Sequence, residues 1–426
     1  MENTVVVGAQ WGDEGKGRIV DLLAEKADII CRFQGGANAG HTIKVRDQEF
    51  VLHLVPSGIL YPGKLCLIGN GVALDPAALL EEIRHLEKRR IKVKGRLFVS
   101  GLAHLTFPYH RLLDEAKEHA RGARKIGTTH KGIGPTYTDK AERVGIRFAD
   151  LFEPKAFAEK VRTNVREKNF MLSQFYKWKG ISAEGILRRY AGYRPKLKGF
   201  FADTSAMLNS AIAQGKSVLF EGAQGTFLDV DYGTYPFVTA SNTIAGGACT
   251  GAGVGPTKIH SVLGVAKAYT TRVGAGPFPT EFPEAQAKEL RDRGNEFGAT
   301  TGRPRRCGWF DAVMVRQAVR ANGMDSLAIT KMDVLDEMAK VKICTGYKYK
   351  GKILREFPMA TSILGKCQPV YEELRGWYKS TREVRNWFDL PVQARYYLEK
   401  IAEQVGAKIS IVSVGCEREE TIWVAR

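Results

Sequence analysis

A glycine-rich loop near the start of the chain carries residues that could hold a nucleotide and act on it. The stretch GAQWGDEGKGR, residues 8 to 18, follows the apolar run TVVV. In the usual phosphate loop a glycine, four residues and then Gly-Lys-Ser/Thr occur in that order, and the final hydroxyl binds Mg²⁺. Here six residues separate Gly8 from Gly15, and Lys16 is followed by Gly17. The loop is therefore longer than usual and lacks the metal-binding hydroxyl.

An acidic pair, Asp13 and Glu14, lies inside this loop. Two negative charges beside a triphosphate are unfavourable unless one of them meets a metal ion or a proton, so we expect one of them to take part in chemistry. The alternative is a glycine-rich turn whose charged residues face solvent. The β-branched run before the loop and apolar residues at helical spacing after it favour a strand–loop–helix unit. Such a unit directs backbone N–H groups and a helix N-terminus at an anion.

Four further loops carry polar residues that suit the same site, although any one of them could be only a turn. They are GGANAGHT (35–42), GTTHKGIGP (127–135), EGAQGTFLDVDYGTYPFVT (221–239) and ATTGRPRRCGWFD (299–311). Between them they offer a histidine, several threonines, a glutamine, a lysine and three arginines. Their occurrence together in one chain favours a shared binding site.

The elements that must position these loops follow an alternating pattern. Residues 1–100 alternate short apolar runs with amphipathic stretches, which predicts strand–helix units on a parallel sheet. ADIICRF and KLCLIGNG read as buried strands, and DPAALLEEIRHLEKRR predicts a helix with Asp75 as its N-cap and Pro76 in its first turn. We expect an α/β fold resembling phosphate-loop GTPases, with a mostly parallel central sheet, flanking helices and a helical insertion.

The domain organisation follows from changes in composition and hydrophobic pattern along the chain. Residues 1–100 are expected to form the first part of the α/β core, 101–200 a mainly helical insertion, and 201–266 the continuation of the core sheet. Residues 267–426 form the C-terminal part, where SLAITKMDVLD and KISIVSVG end strands in loops. Open α/β sheets collect ligands at such strand ends, so the loops can be read as one site.

The charge allows two interpretations. The 426 residues include 64 Lys and Arg against 46 Asp and Glu, a net charge of +18. Such a field suits nucleic acid or small polyanionic substrates. The basic stretches 84–96 and 187–201 match no nucleic-acid-binding module, so no nucleic-acid partner is expected.

The sequence offers no sign of secretion or of a membrane partner. Its first residues lack a basic region, and no segment approaches the roughly 20 apolar residues that a membrane span needs. The seven cysteines form no CxxC pair, which suggests neither a disulfide framework nor a zinc site. We expect a soluble, cytoplasmic protein.

Eight motifs, in order and across essentially the whole chain, resemble the adenylosuccinate synthetase family. They are QWGDEGKG, GGANAGHT, GTTHKGIGPTY, EGAQGTFLDVD, GTYPFVT, TRVGAGPFPTE, TTGRPRRCGWFD and TKMDVLD. The family joins IMP to L-aspartate at the expense of GTP and gives adenylosuccinate, GDP and phosphate, the first committed step from IMP toward AMP. The resemblance implies a GTP-dependent carbon–nitrogen ligase of purine nucleotide biosynthesis.

The resemblance implies the GTP site. Asp333 would accept hydrogen bonds from N1–H and the 2-amino group of guanine, Lys331 would lie against the ring, and residues 413 to 415 would close over it. The alternative for Asp333 is an Asx-turn. The expected GTP-binding residues are Gly12, Asp13, Glu14, Gly15, Lys16, Gly17, Arg18, Gly40, His41, Thr42, Arg305, Lys331, Met332, Asp333, Ser413, Val414 and Gly415.

The same resemblance implies the other two substrate sites. The expected IMP-binding residues are Asp13, Lys16, Asn38, Ala39, Gly40, His41, Thr129, Arg143, Gln224, Thr239 and Arg303. The expected aspartate-binding residues are Ala299, Thr300, Thr301, Gly302, Arg303 and Arg305, and the two arginines suit carboxylates because a guanidinium pairs with them in a bidentate way. The insertion would hold the IMP-phosphate loop and the contacts of a homodimer, in which Arg143 reaches the partner's IMP. The alternative for Arg143 is an ordinary surface arginine.

The catalytic residues implied are Asp13, His41 and Lys16. Asp13 would take the proton from N1 of IMP, so that O6 attacks the γ-phosphate, while His41 donates to the β–γ bridging region. A 6-phosphoryl intermediate would form, and the aspartate amino group would displace phosphate. The cofactor implied is Mg²⁺, with Asp13 and the backbone carbonyl of Gly40 as its protein ligands, both hard oxygen donors.

Two residues depart from the family pattern. Family members often carry proline where this chain has Cys416, and lysine where it has Arg18. A GTPase-like regulator would share a phosphate loop and a K-x-D element, but it needs no IMP or aspartate loop. A nucleic-acid-binding protein is suggested by the charge alone.

Overall fold

The computed structural model of the chain describes residues 2–45, 48–298 and 302–424. The strands within these ranges are β1 (Thr4–Gly8), β2 (Ile29–Arg32), β3 (Gly35–Gly36), β4 (His41–Val45), β5 (Gln48–Leu52), β6 (Leu65–Ile68), β7 (Val72–Leu74), β8 (Leu97–Ser100), β9 (His104–Leu105), β10 (Phe201–Ala202), β11 (Val218–Glu221), β12 (Ser261–Lys267), β13 (Thr270–Arg272), β14 (Arg306–Gly308), β15 (Phe310–Asp311), β16 (Ser326–Thr330), β17 (Lys340–Tyr349), β18 (Lys352–Leu354), β19 (Gln368–Arg375), β20 (Lys408–Ser413) and β21 (Thr421–Trp423).

The α-helices of the same ranges are α1 (Lys16–Ala24), α2 (Pro76–Lys88), α3 (Pro108–Arg121), α4 (Ile133–Glu142), α5 (Pro154–Phe170), α6 (Ala183–Leu197), α7 (Thr204–Ala213), α8 (Gly246–Ala252), α9 (Glu284–Gly294), α10 (Ala312–Asn322), α11 (Thr361–Leu364) and α12 (Val392–Val405). Short 3-10 turns join several of them, and a π-helical turn, Met171–Phe175, follows α5.

A long, mostly parallel sheet forms the centre of the described structure. Its ten strands run in the order β10-β8-β6-β2-β11-β1-β12-β16-β20-β21. All neighbouring strands are parallel except β20 and β21, which are antiparallel. The prediction of an α/β fold with a mostly parallel central sheet is confirmed.

The central strand β1 is buried on both faces, as expected for a parallel sheet covered by helices. Val5 and Val7 contribute to the larger core on one face, and Val6 packs with Ile19 and Val20 of α1 on the other. Burial of both faces explains why the strand reads as a continuous apolar run rather than an alternating one. It also fixes the loop after β1 between the sheet and α1.

The segment between β9 and β10 is predominantly helical and contains α3 to α6. Helices α3, α5 and α6 share a core with α2, in which Phe107, Phe157 and Tyr190 are fully or almost fully buried. The predicted cap of α2 is present, because the Asp75 side chain accepts hydrogen bonds from the first turn of the helix and Pro76 opens it. The domain limits at residues 100, 200 and 266 stay a prediction.

Candidate active site

One cavity of about 1110 Å³ opens where strands β1, β2, β11, β16 and β20 end. The loops that follow these strands contribute its lining, together with residues from the segments 126–138, 293–298 and 303–305. Parallel strands bring their carboxyl ends to one edge of a sheet, so residues far apart in sequence meet there. The predicted loops therefore surround one space.

The phosphate loop lies in this cavity as the sequence predicts. Helix α1 begins at Lys16, directly after Gly15, whose φ of 88° lies in the left-handed region that favours glycine. Residues 15 to 18 line the cavity, so the N-terminus of this helix lies at it, where the N–H of Arg18 donates to the carbonyl of Gly15 at 3.2 Å. This arrangement suits the binding of phosphate.

The two acidic residues of the loop take opposite directions. Glu14 is fully buried, and its carboxylate accepts hydrogen bonds from the N–H groups of Gln10 (3.0 Å) and Gly12 (2.9 Å) and from Nζ of Lys16 (2.5 Å). Asp13 has a φ of 59° and turns into the cavity, where its side chain is 37% exposed. Glu14 thus shapes the loop from behind, while Asp13 is presented to a ligand.

A buried charge network lies beneath Asp13. Arg305 donates through Nε to Asp13 (3.1 Å) and through a terminal nitrogen to Glu296 (2.6 Å). Nζ of Lys267 donates to both oxygens of Glu296 at 2.7 Å, and the Tyr269 hydroxyl donates to the same carboxylate. One buried carboxylate therefore joins the guanidinium that contacts Asp13 to a second, fully buried cation.

The charges of this network shift the pKa values of its members. Burial acts to raise the pKa of Glu296, but Lys267 and Arg305 outweigh it and lower that pKa from 4.5 to about 2. Burial lowers the pKa of Lys267 to about 8, against the attraction of Glu296. Glu296 is consequently ionised at neutral pH and holds Arg305 beside Asp13.

His41 is oriented by a carboxylate at the end of β11. Its Nδ1 lies 2.6 Å from Glu221, which is fully buried and also accepts a hydrogen bond from the N–H of Ser57 (2.9 Å). Burial acts to raise the pKa of Glu221, but His41 and Arg32 lower it overall. Because Nδ1 is engaged by the carboxylate, Nε2 of His41 is left for a ligand in the cavity.

The predicted IMP residues converge from three directions. Gln224 donates to Asn38 (3.4 Å) and accepts from Gln34 (3.3 Å), which joins the loops after β11 and β2. Thr129 and Thr239 line the cavity from the loop before α4 and from the long loop after β11. Amide and hydroxyl groups of this kind suit a purine edge and a phosphate.

The loop after β16 presents the predicted guanine-reading carboxylate to the cavity. The side chain of Asp333 is 7% exposed, its Oδ1 has no hydrogen-bond partner among the described residues, and its Oδ2 lies 3.4 Å from Arg382. Burial raises the pKa of Asp333. Lys331, with a φ of 61°, extends to the carbonyl of Gly294 (2.9 Å). A buried oxygen without a donor is suited to the N–H groups of a bound base.

The C-terminal loop after β20 is joined to the phosphate loop. Arg18 donates to the carbonyls of Glu417 and Glu420 and to the Thr421 hydroxyl, at 2.5 to 2.8 Å. The arginine that replaces the lysine common in the family thus bridges the first helix and the loop that carries Cys416. The exchange keeps the positive charge, but all three hydrogen bonds come from one terminal nitrogen of Arg18, and its Nε and other terminal nitrogen have no hydrogen-bond partner among the described residues.

Most of the predicted site residues line the cavity. These are Gly12, Asp13, Gly15, Lys16, Gly17, Arg18, Asn38, Ala39, Gly40, His41, Thr42, Thr129, Gln224, Thr239, Arg303, Arg305, Lys331, Asp333, Ser413 and Gly415.

The remaining predicted residues lie elsewhere. Glu14, Met332 and Val414 are buried behind the lining, and Gly302 is exposed. Arg143 is exposed at the C-terminal end of α4 and lies outside the lining formed by the described residues of its own chain. Ala299, Thr300 and Thr301 lie outside the described residues.

Three buried charged side chains that lie against the candidate site were not identified from the sequence. Glu221, Glu296 and Lys267 support His41 and Arg305 from below, and all three are fully or almost fully buried. A signal existed for two of them, because Glu221 ends the apolar run VLF and Lys267 follows the apolar run GVA. A charged residue that ends a buried strand needs a partner, which favours a site at that strand end. For Glu296 the sequence offers no comparable signal.

No group of three or more His, Cys, Asp or Glu side chains placed to hold a metal ion occurs in the described part of the chain. The seven cysteines all lie in that part and are all free. Among the helices of residues 2–45, 48–298 and 302–424, none combines the length and the apolar character required to span a membrane.

Comparisons with known proteins agree with this geometry. The family model described as adenylosuccinate synthetase matches residues 5–422. Adenylosuccinate synthetase of Desulforamulus reducens is 55% identical over 422 residues, which cover 99% of this chain and 98% of the relative. That of Pelotomaculum thermopropionicum is 54% identical over 425 residues, covering 100% and 99%.

A solved structure is similar over the whole chain. Fully ligated adenylosuccinate synthetase from Plasmodium falciparum superposes with a TM-score of 0.94 at 37% identity and covers 100% of both chains. The family match, the identity of the relatives and the cavity geometry lead to one assignment. This chain belongs to the adenylosuccinate synthetase family, the GTP-dependent ligases that convert IMP to adenylosuccinate in purine biosynthesis.

Proposed function

We propose that this chain ligates IMP and L-aspartate through a 6-phosphoryl-IMP intermediate, with Asp13 as the base that starts the reaction. The observation that carries the proposal is the direction of Asp13, which turns out of an anion-binding loop into the cavity that His41 and Arg305 also line. A carboxylate placed there serves the second substrate, because a simple phosphate cradle gains nothing from a negative charge.

In the first step Asp13 takes the proton from N1 of IMP, and the electron pair moves to O6. O6 attacks the γ-phosphorus of GTP, the bond to the β–γ bridging oxygen breaks, and GDP leaves. His41, held by Glu221 through Nδ1, donates from Nε2 to the bridging region, where negative charge develops. Lys16 neutralises the phosphates after it exchanges Glu14 for the nucleotide.

In the second step the amino group of aspartate attacks C6, and phosphate leaves with O6. Phosphorylation makes this possible because the free carbonyl oxygen of IMP is a poor leaving group. Arg303 and Arg305 hold the aspartate carboxylates by bidentate pairing. Arg305 must then share its donors among substrate, Asp13 and Glu296, and its position above Glu296 prepares it for this task.

Magnesium fits the residues at the phosphate loop. The carboxylate of Asp13 is part exposed in the cavity, and Gly40 lines the same cavity, so both offer hard oxygen atoms of the kind that Mg²⁺ prefers. When bound, the ion supplies charge neutralisation for the phosphates. One protein carboxylate is enough when substrate oxygens complete the coordination.

Guanine selection rests on Asp333. Its buried and unpaired oxygen accepts from the N–H groups of guanine, whereas adenine would leave that oxygen without a donor. Arg382 contacts the other oxygen of Asp333. When the base enters, Arg382 either moves away or keeps this contact on the side of the carboxylate that faces away from the base.

The working form proposed is a homodimer in which Arg143 contacts the 5′-phosphate of the IMP bound to the partner. Support comes from the exposure of Arg143 and from its place outside the cavity of its own chain. We place the enzyme in the cytoplasm, because free cysteines suit a reducing compartment.

A product assay with IMP, aspartate, GTP and Mg²⁺, in which each component is left out in turn, tests the proposal. Adenylosuccinate should form only from the complete mixture. Asp13→Asn should lower turnover by several powers of ten, since a general base alone is worth about 10² to 10⁴-fold and a metal charge is lost as well. The matched control is Asp292→Asn, which removes an exposed carboxylate of α9 and should leave turnover unchanged. Near-normal turnover of Asp13→Asn would reject Asp13 as the base.

A further inference from the structure

Two carboxylates on one face of α3 hold both ends of the loop that carries Thr129. Glu118 accepts hydrogen bonds from the N–H groups of Ile126 (3.3 Å), Gly127 (2.8 Å) and Thr128 (3.3 Å). One turn earlier on the helix, Asp114 accepts from the N–H of residue 132 at 3.0 Å. Residues 126 to 132 are thus tied to the helix at their beginning and at their end.

The tie is buried and close. Glu118 is 2% exposed and Asp114 is 6% exposed, although both are carboxylates. Gly132 has a φ of 73°, and a Cβ there would come within 2.8 Å of the backbone of α3, so the loop lies directly on the helix. Burial acts to raise the pKa of Glu118, but the three backbone donors and Arg121 lower it overall. The negative charge of Glu118 is therefore compensated by the N–H groups of the loop and by the guanidinium of Arg121.

The same loop reaches the second substrate site. A terminal nitrogen of Arg303 donates to the carbonyl of Gly127 at 3.1 Å. Gly127 is also one of the residues whose N–H donates to Glu118. Thr128 and Thr129 line the cavity, and the Thr128 hydroxyl is buried without a hydrogen-bond partner among the described residues. A buried hydroxyl of this kind has a donor and an acceptor available for a ligand.

We propose that Asp114 and Glu118 are positioning residues that hold residues 126 to 132 in the shape that binds the 5′-phosphate of IMP. Because Arg303 donates to the carbonyl of Gly127, the same loop also helps to hold Arg303 in place. The inference rests on the proposed function for the identity of the phosphate ligand. Three N–H groups converging on one carboxylate hold the backbone of the loop in this shape. Such contacts offset part of the entropy that is lost when a binding loop is ordered.

Glu118→Gln tests the proposal, because the amide keeps the size of the side chain but replaces a charged acceptor with one neutral oxygen and a donor that faces N–H groups. We expect the dissociation constant of IMP to rise about tenfold or more, as loss of charge-assisted hydrogen bonds implies. Inosine, which lacks the phosphate, should bind Glu118→Gln and the unaltered enzyme alike. Both affinities can be measured by titration calorimetry on the intact enzyme.

Steady-state kinetics supply a second readout. The KM values of IMP and aspartate should rise in Glu118→Gln, while that of GTP stays within twofold. Glu115→Gln, on the same helix and partly exposed, is the matched control and should behave as the unaltered enzyme. Asp114→Asn loosens the other end of the loop and carries the test if Glu118→Gln does not fold, as judged by its melting temperature.

Two results would overturn the inference. One is a folded Glu118→Gln or Asp114→Asn enzyme with unchanged affinity for IMP. The other is an equal loss of affinity for IMP and inosine, which would indicate a general structural role. If the unaltered enzyme formed no adenylosuccinate but still bound IMP better than inosine in a Glu118-dependent way, the proposed function would fail while the positioning role stood.

Discussion

Glu296→Gln is expected to destabilise the protein far more than loss of a surface carboxylate would. The variant keeps the shape of a fully buried side chain but removes the negative charge that faces Lys267 and Arg305. Two cations would then lie side by side without the carboxylate between them. Removal of one partner of a buried ion pair typically costs about 3 to 5 kcal/mol, because an uncompensated charge stays buried.

The pKa of Glu296 gives a second measure of how much its ion pairs stabilise the folded protein. Against the opposing effect of burial, the two cations lower that pKa from 4.5 to about 2, which corresponds to about 3 kcal/mol of stabilisation at neutral pH. Since the folded-state pKa lies below the unfolded value, this stabilisation is fully present above pH 4.5 and is lost as the pH falls toward 2. The difference in stability between the two proteins should therefore narrow below pH 4.5.

Urea unfolding at pH 7 measures the effect, with Glu284→Gln as control because Glu284, which pairs with Arg291, has a side chain that is 81% exposed. Adding Lys267→Met to Glu296→Gln should restore part of the stability, since it removes an orphaned ammonium group. The KM of aspartate should rise in Glu296→Gln because Arg305 loses its anchor. The reasoning is refuted if Glu296→Gln costs no more than Glu284→Gln, or if the added Lys267→Met lowers stability further.

Three further predictions concern the reacting groups. Glu221→Gln should lower kcat by about 10²-fold or more with little change in the KM of IMP, because His41 loses the carboxylate that orients it. A near-normal kcat would show that His41 does not depend on Glu221 for catalysis. Asp333→Asn should raise the KM of GTP and improve relative use of XTP, whose 2-oxo group needs a donor, and an unchanged preference would place guanine recognition elsewhere. When equal amounts of Asp13→Ala and Arg143→Leu subunits exchange at random, about half of the dimers are hybrids with one intact site each, so activity should return at roughly a quarter of all sites. Hybrids confirmed by native mass spectrometry that stay as inactive as their parents at saturating IMP would show that Arg143 is not shared.

The sequence predicts those parts of the site that local rules determine. Gly15 and Lys16 stand at the start of α1 because a β-branched run, a glycine-rich loop and helical spacing follow one another within a short stretch. The capped start of α2 at Asp75 is predictable for the same reason. Both depend only on neighbouring residues.

Other features depend on contacts that no short stretch contains. The sequence does not say that Glu14 turns inward while Asp13 turns outward, because this follows from the backbone N–H groups that converge on Glu14. Glu221 reaches His41 from 180 residues away, and Glu296 meets Lys267 from 29 residues away. The parallel sheet brings Glu221 and Lys267 to one edge, where they meet His41 and Glu296 from segments outside that sheet.

The fate of the oxygen on C6 of IMP tests the central claim most directly. The reaction can be run with IMP carrying heavy oxygen (¹⁸O) at that position, and the inorganic phosphate product can be analysed by mass spectrometry. If Asp13 makes O6 the nucleophile toward the γ-phosphate, the heavy oxygen leaves C6 as part of phosphate, one label for each adenylosuccinate formed. Phosphate without the label, accompanied by adenylosuccinate formation, would contradict the 6-phosphoryl intermediate.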